Sequence, residues 1–192
     1  MSKRTTRRTS NAKDAKTDLV LCGQQVDVAY HVPDVQPAAM GRWRAEADKI
    51  AWTDTATNYA CVIRREKKGG HLAYFVGLPQ SHPLNGWAAD AIPHSLVDVA
   101  GGLDYSAACD KTGPEDRSVC HVPSGSSHAA DIWWLGASCN HITDIIPDDR
   151  GHAARAQQLG IAQEYRDVAE VYARCIALAS TLRDIENDGA AS

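Results

Sequence analysis

The stretch from Tyr59 to Leu78 constrains the fold more than any other part of this 192-residue chain. It holds two runs rich in β-branched and aromatic residues, Tyr59–Arg65 and His71–Leu78, on either side of a charged tip that contains Gly69 and Gly70. Two such runs joined by a short glycine-containing segment are typical of a β-hairpin. The sequence therefore predicts two neighbouring antiparallel strands here.

After Gly160 the apolar residues change period and recur at alternating spacings of four and three: Ile161, Tyr165, Val168, Tyr172, Cys175, Ala179 and Leu182. This spacing predicts one long amphipathic helix over about residues 155–186. A helix with a single apolar stripe needs a surface to cover, and the preceding strands supply one. The predicted fold class is therefore α+β, a mainly antiparallel sheet with a long C-terminal amphipathic helix packed on one face.

Shorter segments predict additional strands. The segment "LVLCGQQVDVAYHVPDVQP" predicts one or two short strands ending at Pro33, and "VCHVP" and "DIWWLGA" each predict one more. The segment "LVDVAGGLDYSAAC" predicts a strand broken at Gly101 and Gly102, because adjacent glycines indicate a bulge or a close backbone approach to another group. The segment "AAMGRWRAEADKIAW" is typical of weak helix or loop, and "QSHPLNGWAADAIPHS" is typical of a loop.

Charge divides the chain into a basic arm and an acidic body. The formal net charge is -4, but the first seventeen residues carry six Lys/Arg against one Asp. We predict a disordered basic arm at 1–17, a single α+β domain at 18–187 and a disordered tail at 188–192. The acidic body disfavours nucleic acid as a partner except through the arm. The arm lacks a secretory apolar core, and no segment has membrane-spanning length, although the Arg-, Ser- and Thr-rich arm also fits a transit peptide.

The six cysteines are scattered and form no Cys-x-x-Cys pair. This spacing predicts free thiols in a cytoplasmic protein. The common motifs of nucleotide hydrolases, metalloproteases and serine esterases are absent from the sequence, which disfavours these classes.

The segment "DIWWLGASCNHITDIIPDD" concentrates chemically active residues, and three interpretations of it stay open. Cys139, His141 and Asp144 form a candidate catalytic set of thiolate, base and orienting carboxylate. Alternatively, Cys139 and His141 join Cys120, His121 or His82 in a zinc or iron site. In the third interpretation the segment is a buried turn, in which His141 and Asp144 satisfy backbone groups and Cys139 packs as a small hydrophobe.

A ligand pocket near this segment is a further prediction. If Asp131–Ala137 is a strand, Trp133 and Trp134 point to opposite faces, so that one enters the core and the other lines a cleft or packs on a loop. Aromatic faces with a few polar groups are typical of pockets for small ligands. The candidate ligand-binding residues are His82, Asp104, Tyr105, Trp133, Trp134 and His141. The charged run Arg64–Lys68 fits either a phosphate site or, more simply, a solvated hairpin tip.

Five segments occur in an order that resembles a family of small proteins from phage and prophage genomes: "FVGLPQSHPLNG", "VAGGLDYSAAC", "VCHVPSG", "DIWWLGASCNHITDIIP" and "EYRDVAEVYARCIALASTL". Members of that family read "GHPLxG", "VHGGLTYA", "CHVPxPGEPDDVWWFGFDCAHxGDxxP" and "YRDLxYVxxE". The resemblance covers roughly residues 59–185, and its Trp-Trp-x-Gly-x-x-Cys-x-His-x-x-Asp core is its most specific part. It implies a viral or mobile-element origin and carries no activity with it.

This chain departs from the family pattern at informative positions. Ala100 stands where the family has a histidine, Asp104 where it has a threonine, and Ala137 and Ser138 where it has Phe-Asp. The positions that match are His82, Gly101, Gly102, Tyr105, Cys139, His141 and Asp144. A site that keeps its scaffold while losing these groups favours binding over catalysis.

Three functions compete at this point. The first is a phage- or mobile-element-type accessory protein in the host cytoplasm, binding a small, nucleotide-like ligand or a host protein and interfering with a host or defence process. The alternative is a hydrolase or transferase that depends on Cys139, His141 and Asp144 or on a metal; we expect no cofactor, with zinc as the alternative. The third is an oligomerising protein, since the apolar stripe of the C-terminal helix also fits a homodimer seam.

Overall fold

A computed structural model of the chain describes residues 13–15, 19–110, 112–121 and 132–190. The described strands are β1 Lys13–Ala15, β2 Val20–Leu21, β3 Gln24–Gln25, β4 Val28–His31, β5 Lys49–Thr53, β6 Ala60–Arg65, β7 Leu72–Leu78, β8 Tyr105–Ala108 and β9 Trp133–Ser138. The described helices are α1 Arg150–Gln158 and α2 Val168–Ala190, with short 3₁₀ helices at Arg42–Ala45 and Ala89–Ala91.

Seven strands form one antiparallel sheet in the order β1-β4-β5-β6-β7-β9-β8, and β2 pairs with β3 separately. Strands β6 and β7 are the predicted hairpin, with Ala60 opposite Gly77 and Arg65 opposite Leu72. Helix α2 packs against the sheet at β6 and β7. The predicted α+β class is confirmed.

Because side chains alternate along a strand, the sheet has two different faces. On the helix face, the buried core includes Ile50, Trp52, Cys61, Ile63, Tyr74, Val76 and Leu135 of the sheet and Val171, Cys175, Leu178 and Leu182 of α2. The opposite face, here called the loop face, carries a smaller buried cluster: Ala51, Ala60, Val62, Ala73, Phe75, Val119 and Trp134. The apolar stripe of α2 is therefore used within the chain.

A buried ionic cluster lies on the helix face at the hairpin end of β6. All five N–H groups of Arg65 have an acceptor: Asp48 Oδ1 at 2.8 Å, the Gly70 carbonyl at 2.9 Å, the Tyr165 hydroxyl at 3.1 Å, Glu46 Oε2 at 3.1 Å and the Trp43 carbonyl at 3.2 Å. Glu46 Oε1 also accepts from the Val168 N–H, the first residue of α2. This cluster, named the Arg65 cluster, ties the sheet to the start of the helix.

The single predicted helix over 155–186 is two helices. Asp149 accepts from the His152 N–H at 2.9 Å and caps α1, which ends before Gly160, a residue in the left-handed region at φ 66°. Asp167 then accepts from the Glu170 N–H at 3.0 Å at the start of α2. Ile161 and Tyr165 thus lie outside any helix, although both fit the spacing.

Other sequence expectations also need correction. Lys13–Ala15, inside the predicted disordered arm 1–17, forms edge strand β1, and α2 continues through 188–190 of the predicted tail; the rest of both segments lies outside the described residues. Strand β5 lies in a segment predicted to be weak helix or loop. In "VCHVP", residues 119–121 are not a strand and 122–123 are not described. The connection "SGSSHAA" is likewise outside the described residues.

Within the part of the chain that the structure describes, no helix combines the length and apolarity needed to cross a membrane.

Candidate functional site

Cys139 lies directly after β9 and is buried, with 2% of its surface exposed. Its N–H donates to the Leu72 carbonyl at 2.9 Å, so the backbone at this point extends the pairing of β7 and β9. Burial raises the pKa of the Cys139 thiol to about 12. A thiol in this environment stays protonated near neutral pH and is a poor nucleophile.

Asp144 holds the turn that follows. Its Oδ2 accepts from the backbone N–H of His141 at 3.0 Å, and its Oδ1 accepts from Arg166 Nε at 2.7 Å. The His152 ring also lies 3.0 Å from the carbonyl oxygens of both His141 and Asp144. The Asp144 carboxylate therefore contacts the backbone of His141 rather than its imidazole.

The imidazole of His141 bonds to the loop before β8. Its Nε2 donates to the carbonyl of Ala100 at 2.8 Å, and among the described residues no hydrogen bond joins this ring to Cys139 or to the Asp144 carboxylate. Cys139, His141 and Asp144 are thus neighbours without the base-to-nucleophile bond that a catalytic set requires. These contacts are those of the buried-turn interpretation.

Cys120, a candidate metal ligand, is paired with Cys109 in a disulfide, with their Cα atoms 5.2 Å apart. This corrects the prediction that all six cysteines are free; Cys22, Cys61, Cys139 and Cys175 do remain thiols. His121, the other candidate from this segment, has Nε2 3.1 Å from Asp27 Oδ2. The described residues contain no group of three or more His, Cys, Asp or Glu side chains placed to hold a metal ion.

His82 is buried, with 3% of its surface exposed, and bonds to protein at both ring nitrogens. Nδ1 accepts from the Leu84 N–H at 3.0 Å, and Nε2 donates to the Leu182 carbonyl at 2.8 Å. Burial lowers the pKa of His82, which favours this neutral tautomer. The side chain joins the loop after β7 to helix α2 and has no nitrogen left for a ligand.

The two tryptophans point to opposite faces of the sheet, as the strand interpretation predicts. Trp133 packs at the edge of the helix-face core and its Nε1 donates to Ser106 Oγ at 2.8 Å. Trp134 is fully buried on the loop face, where Tyr105 meets Phe75 edge-on with ring centroids 5.0 Å apart. The predicted ligand-binding residues are therefore divided between two faces.

Asp104 and His141 lie at the end of β9 near a small cavity. Asp104 is exposed and its Oδ2 accepts from the Ser138 N–H at 3.2 Å. Gly101 and Gly102 both have φ 82°, and a Cβ on Gly101 would overlap the ring of His141. A Cβ on Gly102 would lie 2.9 Å from His94 Nε2. The predicted close approach at the glycine pair is confirmed, and both glycines are required because a side chain would displace an imidazole.

This cavity, named the glycine pocket, has a volume of about 240 Å³. Its polar groups are the Asp90 carboxylate, the His94 imidazole and the backbone of the two glycines; its apolar walls are Ile92, Val97 and Leu103. Asp90 and His94 are exposed at its mouth. Neither was predicted from the sequence, although both flank Pro93 in the loop before the glycine pair and carry side chains suited to polar recognition.

Comparison with protein-family models, curated proteins and solved structures finds no match for this chain.

Proposed function

We propose that this chain is a ligand-binding protein and that the glycine pocket holds the flat ring of a nucleoside-like molecule. The observation that carries the proposal is the glycine pair, held in the left-handed region with its backbone against the rings of His94 and His141. Apolar walls with a few convergent polar groups are typical of small-molecule sites.

The lining chemistry favours a heteroaromatic ring that carries N–H groups. The Asp90 carboxylate accepts hydrogen bonds of the kind that a base amino group donates, and the imidazole of His94 offers a face for stacking. A volume of about 240 Å³ is below the range of drug-sized pockets, so the ring enters and the remainder of the ligand stays outside.

The proposal also includes a biological setting for the ligand. The resemblance to phage and prophage proteins supports an accessory role inside a host cell, in which capture of a host metabolite interferes with a host or defence process. A host protein seated over the same pocket is the alternative occupant. Affinity capture from host extract with wild-type protein and a His94→Ala variant separates the two, because a protein partner would be retained with the first and lost with the second.

Catalysis by Cys139 has less support. A buried thiol with a raised pKa and a histidine engaged elsewhere argue against a hydrolase or transferase mechanism at this position. We expect alkylating reagents to modify exposed Cys22 in the native protein and to leave Cys139 unmodified. Rapid modification of Cys139 would restore the enzymatic alternative.

Isothermal titration calorimetry with guanosine, adenosine, cytidine and uridine tests the binding proposal. We expect at least one nucleoside to bind, and Asp90→Asn and His94→Ala each to weaken it about tenfold, which corresponds to about 1.4 kcal/mol. His31→Ala is the matched control, since His31 is also exposed but lies on β4. The proposal fails if none of the four nucleosides binds, or if both pocket variants bind as tightly as the control.

A further inference from the structure

A second cavity, of about 220 Å³, opens at the hairpin end of the sheet. We name it the hairpin pocket; its charged lining includes Arg64, Lys67, Asp116 and Arg117. Asp116 and Arg117 belong to the segment that the Cys109–Cys120 disulfide closes, and Arg64 and Lys67 belong to the end of the β6–β7 hairpin. Two parts of the chain that are far apart in sequence therefore build its walls.

Two polar atoms of the hairpin pocket residues lack hydrogen-bond partners within the part of the chain that the structure describes. Asp116 is 6% exposed, and its Oδ2 is buried without a hydrogen bond to any described residue; the buried Nε of Arg117 likewise lacks an acceptor among them. Buried polar atoms in folded proteins are nearly always paired, so each exception calls for an explanation. Here an unsatisfied acceptor and an unsatisfied donor stand on consecutive residues of one cavity wall.

The other charges of the pocket are unequally occupied. Arg64 donates to Glu66 Oε1 at 2.6 Å and to the Arg117 carbonyl at 3.0 Å, and Arg65 is saturated within its own cluster. Lys67 is exposed and takes part in no ion pair among the described residues. Arg117 Nη2 donates to Asp34 Oδ2 at 2.7 Å. Among the described residues, the groups of this lining left without a hydrogen bond or ion pair are thus Asp116 Oδ2, the N–H at Arg117 Nε and the Lys67 ammonium group.

Side chains of the sheet hold the backbone around Asp116 by hydrogen bonds. Lys49, fully buried on β5, donates to the carbonyl oxygen of Glu115 and, at 3.4 Å, to that of Cys120. Arg64 holds the Arg117 carbonyl in the same way. With the disulfide, these bonds hold the backbone that carries Asp116 and Arg117 in place, which is the preorganisation that a binding site needs.

We infer that the hairpin pocket binds a small zwitterion, a molecule that carries both an ammonium and a carboxylate group. The ammonium donates to Asp116 Oδ2, and the carboxylate accepts from Arg117 Nε and pairs with Lys67. A ligand with only one of these two charges would pair with only one of Asp116 Oδ2 and Arg117 Nε. The available volume suits a molecule of amino-acid size.

Calorimetric titration with glycine, methylamine and acetate tests the inference, because methylamine carries only the ammonium and acetate only the carboxylate. We expect glycine to bind at least tenfold more tightly than either. Lys67→Ala and Asp116→Asn should each weaken glycine binding about tenfold. Lys68→Ala is the matched control, since Lys68 is the next exposed lysine of the tip and is not part of the charged lining named above.

Two results would overturn the inference. One is that glycine binds no better than acetate and methylamine; the other is that Lys67→Ala and Lys68→Ala bind glycine equally well. Lys67 is exposed, so its replacement keeps the test valid even if Asp116→Asn perturbs the fold. Nucleoside titrations of the same variants should be unchanged, because the glycine pocket shares no residue with this site.

Discussion

Two buried charged clusters lie at the same end of the sheet and differ in how completely their groups are satisfied. In the Arg65 cluster on the helix face, every guanidinium N–H has an acceptor. On the loop face, we name the group formed by Lys49, Asp116, Arg117 and His121 the Lys49 cluster. Among the described residues, Asp116 Oδ2, Arg117 Nε and His121 Nδ1 of this cluster have no hydrogen-bond partner. A saturated cluster stabilises the fold, whereas an unsaturated one keeps capacity for a ligand or solvent.

The largest expected difference concerns Arg64 and Arg65, which are consecutive on β6 but point to opposite faces. Arg65→Ala should lower the free energy of unfolding by about 3–5 kcal/mol, because it leaves Asp48 and Glu46 as unpaired charges. Arg64→Ala should cost about 1 kcal/mol, since its side chain is 21% exposed and its partner Glu66 can turn to water. Urea denaturation of both variants measures the contrast, and equal losses would contradict it.

The disulfide should matter for the Lys49 cluster. The double variant Cys109→Ser/Cys120→Ser should lose about 2–4 kcal/mol of unfolding free energy, because the closed loop no longer restricts the unfolded chain. Glycine binding at the hairpin pocket should fall in the same variant. Cys22→Ser is the control, as Cys22 is an exposed free thiol. A double variant as stable as this control would show that the disulfide has no stabilising role.

Lys49 gives the unsaturated cluster a pH dependence. Burial lowers the pKa of Lys49 from 10.5 to about 8. Between pH 8 and pH 10.5 the unfolded chain binds more protons than the folded chain, so the free energy of unfolding rises with pH in this range. Below pH 8 Lys49 is charged in both states, and the full destabilisation from burying its charge is present. Lys49→Met should remove this rise, about 2–3 kcal/mol, when urea denaturation is compared at pH 7.5 and pH 10. Tyrosine titration affects both proteins, so it cancels when the change in the variant's unfolding free energy is subtracted from the change in the wild type. An equal rise in both proteins would show that the pH dependence does not come from Lys49.

The smallest effect is expected for the unsatisfied carboxylate itself. Asp116→Asn should change stability by about 1 kcal/mol or less, because its Oδ2 has no hydrogen bond to a described residue to lose. Asp48→Asn is the matched variant in the Arg65 cluster and should cost about 3 kcal/mol or more, since its carboxylate accepts from Arg65, Gln36 and the Val32 N–H. Thermal unfolding of the two variants shows whether the loss of stability depends on how many hydrogen bonds the replaced carboxylate makes.

Local patterns predicted the parts of the fold that local chemistry decides. The hairpin β6–β7 and strand β9 follow from β-rich runs between turn residues, and α2 follows from its apolar stripe. The apolar spacing gave a wrong prediction at Ile161 and Tyr165, because it continues by chance across Gly160. The left-handed conformation of Gly160 ends α1. Strand β5 was not predicted because a lysine at position 49 indicates an exposed residue. Lys49 can be buried because it donates to the distant carbonyls of Glu115 and Cys120.

The candidate site was predictable only in its scaffold. Adjacent glycines predicted a close backbone approach, and Gly101 does meet the ring of His141. The sequence could not show that the Asp144 carboxylate is taken by Arg166, that His82 is taken by the Leu182 carbonyl, or that Cys109 and Cys120 are bonded. Each of these contacts depends on which distant segment packs against the residue, and this cannot be predicted from the spacing of residues along the chain.

The strand order also sets how the loop that carries the glycine pocket is anchored. Strand β8 precedes β9 in the chain, yet in the described sheet it pairs with β9 alone, and β9 must first find β7 across a long intervening segment. Pairings between distant segments form slowly compared with a hairpin such as β6–β7. We expect the pairing of β9, which brings Ser138 to Asp104 and His141 to Ala100, to fix the loop beside Gly101 and Gly102 late in folding. A ligand bound in the glycine pocket would then stabilise the completed sheet over its precursors.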